Sequence, residues 1–257
     1  MSKYKMMVVA LLPIVALSLV ACQFFRYDQD PDVSLQDRPE VEEESFDVEE
    51  KSFTVGDTPT LRVDIPAGDV TIRGGRAGAI RLVVTRRARS ESDMRQISVT
   101  MSQEGGGVIV ESDKPSGLSK VSVDLEIDVP TATRLEVNLG AGEVLIDGVA
   151  GETDIDIGNG NIDYQGQPQG DFRFLINVGN ITLRLPADVN VEVDLKTGIG
   201  EMKVDFPVPV TINRYMANFP TAYGLQHGAK ASGTIGTGAE GTIHARVGKG
   251  DINLFRQ

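Results

Sequence analysis

Tryptophan is absent from the 257-residue chain, aromatic residues make up only 5% of it, and cysteine occurs once, as Cys22. A single cysteine excludes an intrachain disulfide. Because aromatics are scarce, the core must be built mainly from aliphatic side chains, and apolar residues do make up 40% of the chain. The 28 glycines exceed average usage and predict many tight turns. The length fits one domain of moderate size or two small ones.

Basic residues are outnumbered by acidic ones, which gives the chain a formal net charge of −12. Residues 28–50 hold eleven acids and one base, whereas residues 53–257 hold 26 acids and 20 bases. Nucleic acids are bound by basic surfaces, so this balance argues against a nucleic-acid partner. Helical periodicity is missing as well, because no window longer than ten residues repeats apolar residues at helical spacing.

Residues 1–21 have the features of a secretory signal peptide. Lys3 and Lys5 precede a 16-residue apolar run, which is shorter than the roughly 20 residues of a membrane-spanning helix. The segment LVAC, residues 19–22, resembles the lipobox of bacterial lipoproteins, which implies lipid attachment at Cys22. The alternative is an uncleaved membrane anchor. Both place the body outside the cytoplasm, and Gln23 favours the outer membrane if the host's cell envelope has two membranes.

Residues 22–52 are predicted to form an acidic, disordered tether between the lipid anchor and the body. The segment contains two prolines and few branched apolar residues, so it cannot bury enough surface to fold. Its like charges favour an extended chain that holds the body away from anionic headgroups. The alternative is a docking tail for a basic partner.

From Phe53 to the end of the sequence, apolar and polar residues alternate. Leu61, Val63 and Ile65 form one such run, and residues 121–129 form another. Alternation with a period of two is typical of half-buried strands. The body, residues 53–257, is therefore predicted to be all-β, with a hairpin where the glycines of EGGG, residues 104–107, interrupt the alternation.

A turn unit recurs six times in this body. In each copy a glycine precedes Asp, Glu or Asn, and large apolar residues follow two and four positions after the glycine. The six glycines are Gly68, Gly142, Gly160, Gly179, Gly200 and Gly250. The pattern predicts strand, glycine turn at positive φ, and strand, with the acid or amide bonded to nearby backbone. Because the unit returns about every 20 residues between Gly142 and Gly200, we expect coils that each rest on the one before.

Two segments that carry this unit, VDLEIDVPTATRLEVNLGAGEVLIDGVAGETDIDIGNGNIDY and LPADVNVEVDLKTGIGEM, resemble the bacterial toast-rack or "putative adhesin" family. The resemblance implies a single-stranded β-helix-like stack of short strands with glycine turns, on an exported or envelope protein. That family has no established catalytic residues, so it implies no catalytic residue and no cofactor here.

The stretch TDIDIGNGNIDYQG, residues 153–166, could be a calcium loop, a carboxylate active site or a turn in the stack. Asp154 and Asp156 point outward, and the next coils are expected to bring Arg173 and then Asp194 beside them. Outward acids of this kind could bind calcium or cleave glycans. The two histidines, His227 and His244, fall into no catalytic triad pattern. We interpret the stretch as a solvated face on which Arg173 relieves repulsion between acids, and predict neither a metal nor a catalytic site.

Two further clusters are candidates for recognition. Arginines are concentrated between residues 73 and 89, and Arg86, Arg87 and Arg89 could contact an anionic polymer such as an acidic glycan. The alternative is that they pair with local acids or with the tether. Three aromatic residues, Tyr215, Phe219 and Tyr223, either cap the end of the core or form a recognition surface.

Taken together, the sequence predicts a non-enzymatic envelope lipoprotein that acts as a surface adhesion or protein-interaction scaffold. The expected partners are a membrane, reached through the lipid anchor, and an envelope protein or anionic glycan. The alternatives are a polysaccharide-active enzyme that uses outward carboxylates, and an envelope-stress sensing module.

Overall fold

Strands account for almost all of the regular structure. A computed structural model describes residues 45–113, 121–206, 211–216 and 227–257. The strands are β1 Ser45–Thr54, β2 Thr60–Ala67, β3 Val70–Gly74, β4 Ala79–Ala88, β5 Ser98–Glu104, β6 Gly107–Asp113, β7 Ser122–Val129, β8 Arg134–Asp147, β9 Thr153–Gln165, β10 Gly170–Val178, β11 Ile181–Leu185, β12 Val191–Ile199, β13 Met202–Val204, β14 Thr211–Met216, β15 His227–Ile235, β16 Gly241–Lys249 and β17 Ile252–Arg256. One short helix, α1, spans Glu91–Met94. The all-β prediction is confirmed.

Six bent rungs form the centre of the fold, and each bends at one of the predicted glycines. The rungs are β2–β3, β8, β9, β10–β11, β12–β13 and β16–β17. All six corner glycines have φ between +138° and +149°, a conformation that other residues rarely adopt. The corners also stack closely: a Cβ built on Gly160 would lie 1.7 Å from the carbonyl oxygen of Gly142. Glycine is therefore required at the corner both for its φ angle and for close packing of the rungs.

The limbs of the rungs form two sheets that meet at the line of corners. The first sheet has the order β5-β6-β2-β8-β9-β10-β16-β12-β15-β14. The second sheet has the order β1-β4-β7-β3-β8-β9-β11-β17-β13. Strands β8 and β9 run unbroken through the corner, so they belong to both sheets and join them.

The rungs do not all follow chain order, and here the sequence-based expectation is wrong. Strands β16 and β17 lie between the rung β10–β11 and the rung β12–β13, although they come later in the chain. The detour is made by β14 and β15: β15 pairs antiparallel with the outer side of β12, and β14 pairs antiparallel with β15. The inward positions of the rungs are mostly apolar, so the alternation alone does not fix which rung lies next to which.

The core lies between the two sheets. The apolar residues two and four positions after each corner glycine are buried, except Val204, which is partly buried. Tyr164, Phe172 and Phe174 form an aromatic cluster in this otherwise aliphatic core, with ring centroids 5.2 to 6.1 Å apart. In the Gly200 rung, the residue three positions before the glycine is Thr197, whereas the other five rungs have an apolar residue there. Strand β12 continues through Thr197. Thr197 is buried and its hydroxyl donates to the Gly250 carbonyl at 2.7 Å.

The N-terminal boundary of the body differs from the prediction. Residues 45–52, which the sequence analysis assigns to the disordered tether, form most of strand β1, the edge of the second sheet beside β4. The acidic residues of this segment do not keep it unfolded, because arginines on β4 neutralise them. Asp47 and Glu49 both pair with Arg86, and Glu50 pairs with Arg81. The rest of the proposed tether and the signal peptide lie outside the described residues.

Two antiparallel pairs of strands form the two ends of the first sheet. Strands β5 and β6 are joined at Gly105 and Gly106, whose φ angles of +55° and +86° are those of a tight hairpin turn, as the EGGG segment predicts. The hairpin β14–β15 falls in a stretch where the sequence gives little sign of strands. Its inward positions opposite β12 are the small residues Ala229, Ala231 and Gly233, which weaken the apolar alternation.

Candidate functional surfaces

The outer face of the first sheet carries the acids of the opening motif. Asp154 and Asp156 are exposed there, with Glu136 and Asn138 beside them on β8 and Arg173 and Leu175 beside them on β10, as predicted. Arg173 donates to Asp154 at 2.8 Å. The arginine thus screens Asp154 from the neighbouring carboxylates. Within the described parts of the chain, no three His, Cys, Asp or Glu side chains come close enough together to hold a metal ion.

The carboxylates of β12 are farther from this motif than the sequence suggests. Because β16 is inserted, Asp154 is in register with Arg173, then His244, and only then Asp194. Three strand spacings separate Asp154 from Asp194, which is about 14 Å. The carboxyl pairs of glycoside hydrolases lie about 5 to 9.5 Å apart. The two acidic groups therefore do not meet to form such a pair. His244 lies on this polar face, with its Nδ1 atom 3.9 Å from Asp194 Oδ2.

The arginine cluster lies on β3, β4 and the turn and loop that follow these strands, and most of its charge is paired. Arg81 bonds to Glu50 at 2.7 Å and lies 3.4 Å from Asp128, and Arg87 bonds to Asp124 at 2.7 Å. The hydrogen bond and charge of Arg81 hold the pKa of the Glu50 carboxyl below its usual value. In the set predicted to contact a polymer, Arg86 and Arg87 are both in ion pairs, which matches the alternative of local pairing.

A ladder of polar side chains follows the line of corners. Four of the residues that follow a corner glycine accept, through a side-chain oxygen, a hydrogen bond from the backbone N–H of the next rung. This occurs from Asp69 to Glu143 at 2.9 Å, from Asn161 to Asn180 at 3.0 Å, from Asn180 to Asp251 at 2.9 Å and from Asp251 to Glu201 at 2.7 Å. The predicted bond from the acid or amide to backbone is present at these four corners, but it reaches the next rung rather than the backbone of its own turn. These bonds explain the acid-rich corner as a structural feature of the stack.

A second basic group was not predicted, and it lies far from the arginine cluster in sequence. Arg246 on β16, Lys196 on β12 and Lys230 on β15 are in register with one another across three adjacent strands. All three are exposed on the outer face of the first sheet. We call these three residues the basic row. Each basic residue is visible in the sequence as an outward position, but their alignment depends on the insertion of β16, which the sequence does not reveal.

Other predicted sites cannot be placed. Cys22, Phe219 and Tyr223 lie outside the described residues, as does the side chain of Tyr215. Among the helices that the structure describes, none has the length and apolar character needed to cross a membrane.

The family model described as Toastrack DUF4097 matches residues 114–254, which is more than half of the chain. The chain belongs to the Toastrack family. This membership confirms the resemblance drawn from the glycine units and agrees with the stack of bent rungs.

Matches to solved structures cover most of this Toastrack chain. A structure titled a "putative cell adhesion protein" from Clostridium sporogenes matches with a TM-score of 0.52 and 15% identity, covering 82% of this chain and all of the other. A "putative adhesin" from Bacteroides fragilis matches with a TM-score of 0.26 and 8% identity, covering 81% of this chain and 97% of the other. At 15% identity the likeness to the Clostridium structure concerns the fold alone. No curated protein matches the sequence.

Proposed function

We propose that this Toastrack protein is a lipid-anchored envelope protein whose β body is a non-enzymatic scaffold for adhesion or protein interaction. The observation that carries the proposal is the division of the body into a filled interior and two wide polar sheet faces. Apolar residues from both sheets form one core cluster, while the outer faces present rows of charged side chains. Such rigid, exposed faces suit recognition of another molecule, and the Clostridium structure is that of a "putative cell adhesion protein".

The carboxylates considered for catalysis support this proposal rather than a glycan-cleaving site. Arg173 holds Asp154, and Asp194 lies among the basic residues Lys230 and His244 at 3.4 Å and 3.9 Å. Asp154 and Asp194 also lie three strands apart, which is too far for these two groups to act together on one glycosidic bond. An extended surface contact uses the same groups without requiring such a pair.

Lipid attachment is tested by replacing Cys22 in the full chain. Cells that carry the chain are fed an alkyne-labelled fatty acid, and the label on the protein is measured in the unmodified chain and in Cys22→Ser. The unmodified chain is expected to carry the label in the membrane fraction, and Cys22→Ser is expected to carry none. Equal labelling of both proteins would contradict the anchor, and so would release of the unmodified protein into the soluble fraction.

The scaffold role is tested by binding of the full chain to native cell envelopes in parallel with an assay for released reducing sugar. Saturable binding without sugar release is expected. The substitution Arg173→Gln removes one charge from this face and is expected to weaken binding if the first sheet's outer face makes the contact. Sugar release that disappears in Asp156→Asn would establish the enzymatic alternative instead.

A further inference from the structure

Strand β1 is the longest edge strand that the structure describes. It has ten residues in unbroken register with β4, whereas the other three edge strands, β5, β13 and β14, have seven, three and six. Natural edge strands are usually kept from pairing with another chain by being short, by a bulge, by proline or by lysine. Strand β1 contains no proline, and its one lysine, Lys51, donates to the Met101 carbonyl of β5 at 2.9 Å. The usual protection is therefore missing.

The register shows which backbone groups of β1 point away from β4. The Val55 N–H donates to the Gly78 carbonyl at 3.1 Å, which continues the β1–β4 register by one pair. In an antiparallel ladder every second residue bonds to the partner strand through both its N–H and its carbonyl. The odd-numbered residues of β1 therefore bond to β4, and the even-numbered residues point outward. The Thr54 carbonyl agrees with this, because it accepts from the Gln103 side chain on β5 at 2.7 Å.

The N-terminal half of this outward edge is open. The two bonds to β5 are made by Lys51 and Thr54, which lie in the C-terminal half of β1. Within the described ranges, β4 is the one strand that pairs with β1. The outward N–H and carbonyl groups of Phe46, Val48 and Glu50 are therefore not engaged by any described strand.

The side chains of the same residues give this edge an apolar side. Phe46 is 74% exposed and Val48 is 55% exposed, which makes them the most exposed large apolar side chains in the described part of the chain. The other side of the strand carries Asp47 and Glu49, whose side chains are about half exposed although both pair with Arg86. The edge thus offers apolar groups on one side and acidic groups on the other.

We infer that β1 accepts an extended strand of a partner protein, which pairs antiparallel with residues 46–50 and lengthens the second sheet. In this mode of recognition main-chain hydrogen bonds supply affinity and alternate side chains supply specificity. The partner strand carries apolar residues opposite Phe46 and Val48 and basic residues opposite Asp47 and Glu49. A second copy of β1 fits less well, because aligning residues 46–50 of both copies places Asp47 opposite Glu49. The inference rests on the proposed scaffold role and names a class of partner for it.

The test measures binding of a fluorescent peptide of alternating valine and lysine to the full chain in nonionic detergent, by fluorescence anisotropy. In the antiparallel pairing the valines lie opposite Phe46 and Val48 and direct their N–H groups to β1, whereas the lysines direct theirs away. A peptide that is N-methylated at its valines is expected to bind at least about tenfold more weakly, because it lacks the donors. A peptide that is N-methylated at its lysines is expected to bind like the parent.

Variants of the chain test the same edge. The β4 ladder does not use the N–H of Val48, so Val48→Pro removes an outward donor and no bond to β4. Proline is tolerated on edge strands in this position, and Val48→Pro is expected to weaken binding at least about tenfold. Val48→Lys, which places a like charge beside the basic peptide, is expected to weaken binding as well and replaces Val48→Pro if that variant does not fold.

The matched control is Leu145→Lys. Leu145 is 44% exposed on the outer face of the same sheet, but it belongs to β8, which is paired on both sides. The substitution adds the same charge as Val48→Lys at a position away from the edge. Leu145→Lys is expected to bind the peptide as the unmodified chain does, and an equal loss in Leu145→Lys and Val48→Lys would contradict binding at β1.

Three other results would overturn the inference. The first is binding that responds neither to N-methylation of the valines nor to Val48→Pro, which would indicate adsorption of a basic peptide by charge alone. The second is self-association that Val48→Pro abolishes, without peptide binding, which would indicate a second copy at the edge. The third is no binding of the unmethylated peptide. None of these results bears on lipid attachment at Cys22 or on envelope binding through the first sheet, so failure of this inference and failure of the proposed function remain distinguishable.

Discussion

Replacement of Gly179 by alanine should damage the stack far more than the loss of a single glycine normally would. Gly179 has φ +139°, and an added Cβ would lie 1.5 Å from the carbonyl oxygen of Gly160. A Cβ is essentially never found closer than 3.0 Å to a backbone atom, so the two rungs must move apart by about 1.5 Å. The Asn180 carbonyl accepts from Ile162 at 2.9 Å, and the Asn180 N–H donates to Asn161 at 3.0 Å. Both bonds would break.

The expected loss follows from these contacts. Strain at positive φ costs about 1 to 3 kcal/mol, and the two hydrogen bonds contribute about 1 kcal/mol each. The free energy of unfolding should therefore fall by about 3 to 5 kcal/mol, a large part of the 5 to 15 kcal/mol typical of a domain. Urea denaturation of the full chain in nonionic detergent, followed by circular dichroism, measures this quantity.

Two other glycines separate the causes. Gly75 has φ +114° but nothing lies within 4 Å of its added Cβ, so Gly75→Ala should lose only the strain of about 1 to 3 kcal/mol. Gly56 has neither a left-handed φ nor a close neighbour, so Gly56→Ala should be neutral or slightly stabilising. If Gly179→Ala is no less stable than Gly75→Ala, close stacking of the corners is not what requires glycine.

Three further changes probe the core and the ladder by the same denaturation assay. Tyr164→Phe removes the hydroxyl that donates to the buried Val149 carbonyl at 2.8 Å, and the unsatisfied carbonyl should cost about 1 to 3 kcal/mol; no loss would mean that another donor replaces it. Phe174→Ala should lower the free energy of unfolding by about 3 to 5 kcal/mol, because it opens a cavity in the aromatic cluster. A smaller loss than that of Tyr164→Phe would argue against tight packing in this cluster. Asn180→Ala should cost only about 0.5 to 1.5 kcal/mol, because water can bond to the exposed N–H of Asp251; a cost equal to that of Phe174→Ala would show that the ladder holds the rungs together.

The features that could be predicted from the sequence are the local ones. Each corner needs glycine at one position, followed by an acid or amide and then by apolar residues at fixed spacing. The six units can therefore be recognised in the sequence. The inward alternation is equally local, since it depends only on the period of a strand.

The features that could not be predicted depend on residues far apart in the chain. Strand β1 is held by ion pairs such as that between Asp47 and Arg86, 39 residues apart, and its composition alone resembles a disordered segment. The inserted position of β16 cannot be read either, because its inward residues Ile243, Ala245 and Val247 would fit against several rungs. The alignment of Arg246, Lys196 and Lys230 follows from that insertion, so it could not be predicted either.

The order of the rungs constrains how the protein folds. Strands β16 and β17 are synthesised after β12 and β13, yet they separate these strands from β10 and β11. The stack cannot grow one rung at a time as the chain emerges, because the site for the inserted rung must stay open or reopen. An intermediate that lacks this rung exposes the unpaired edge of β10, where β12 could pair prematurely. We therefore expect a slow phase in refolding, governed by contacts between distant parts of the chain.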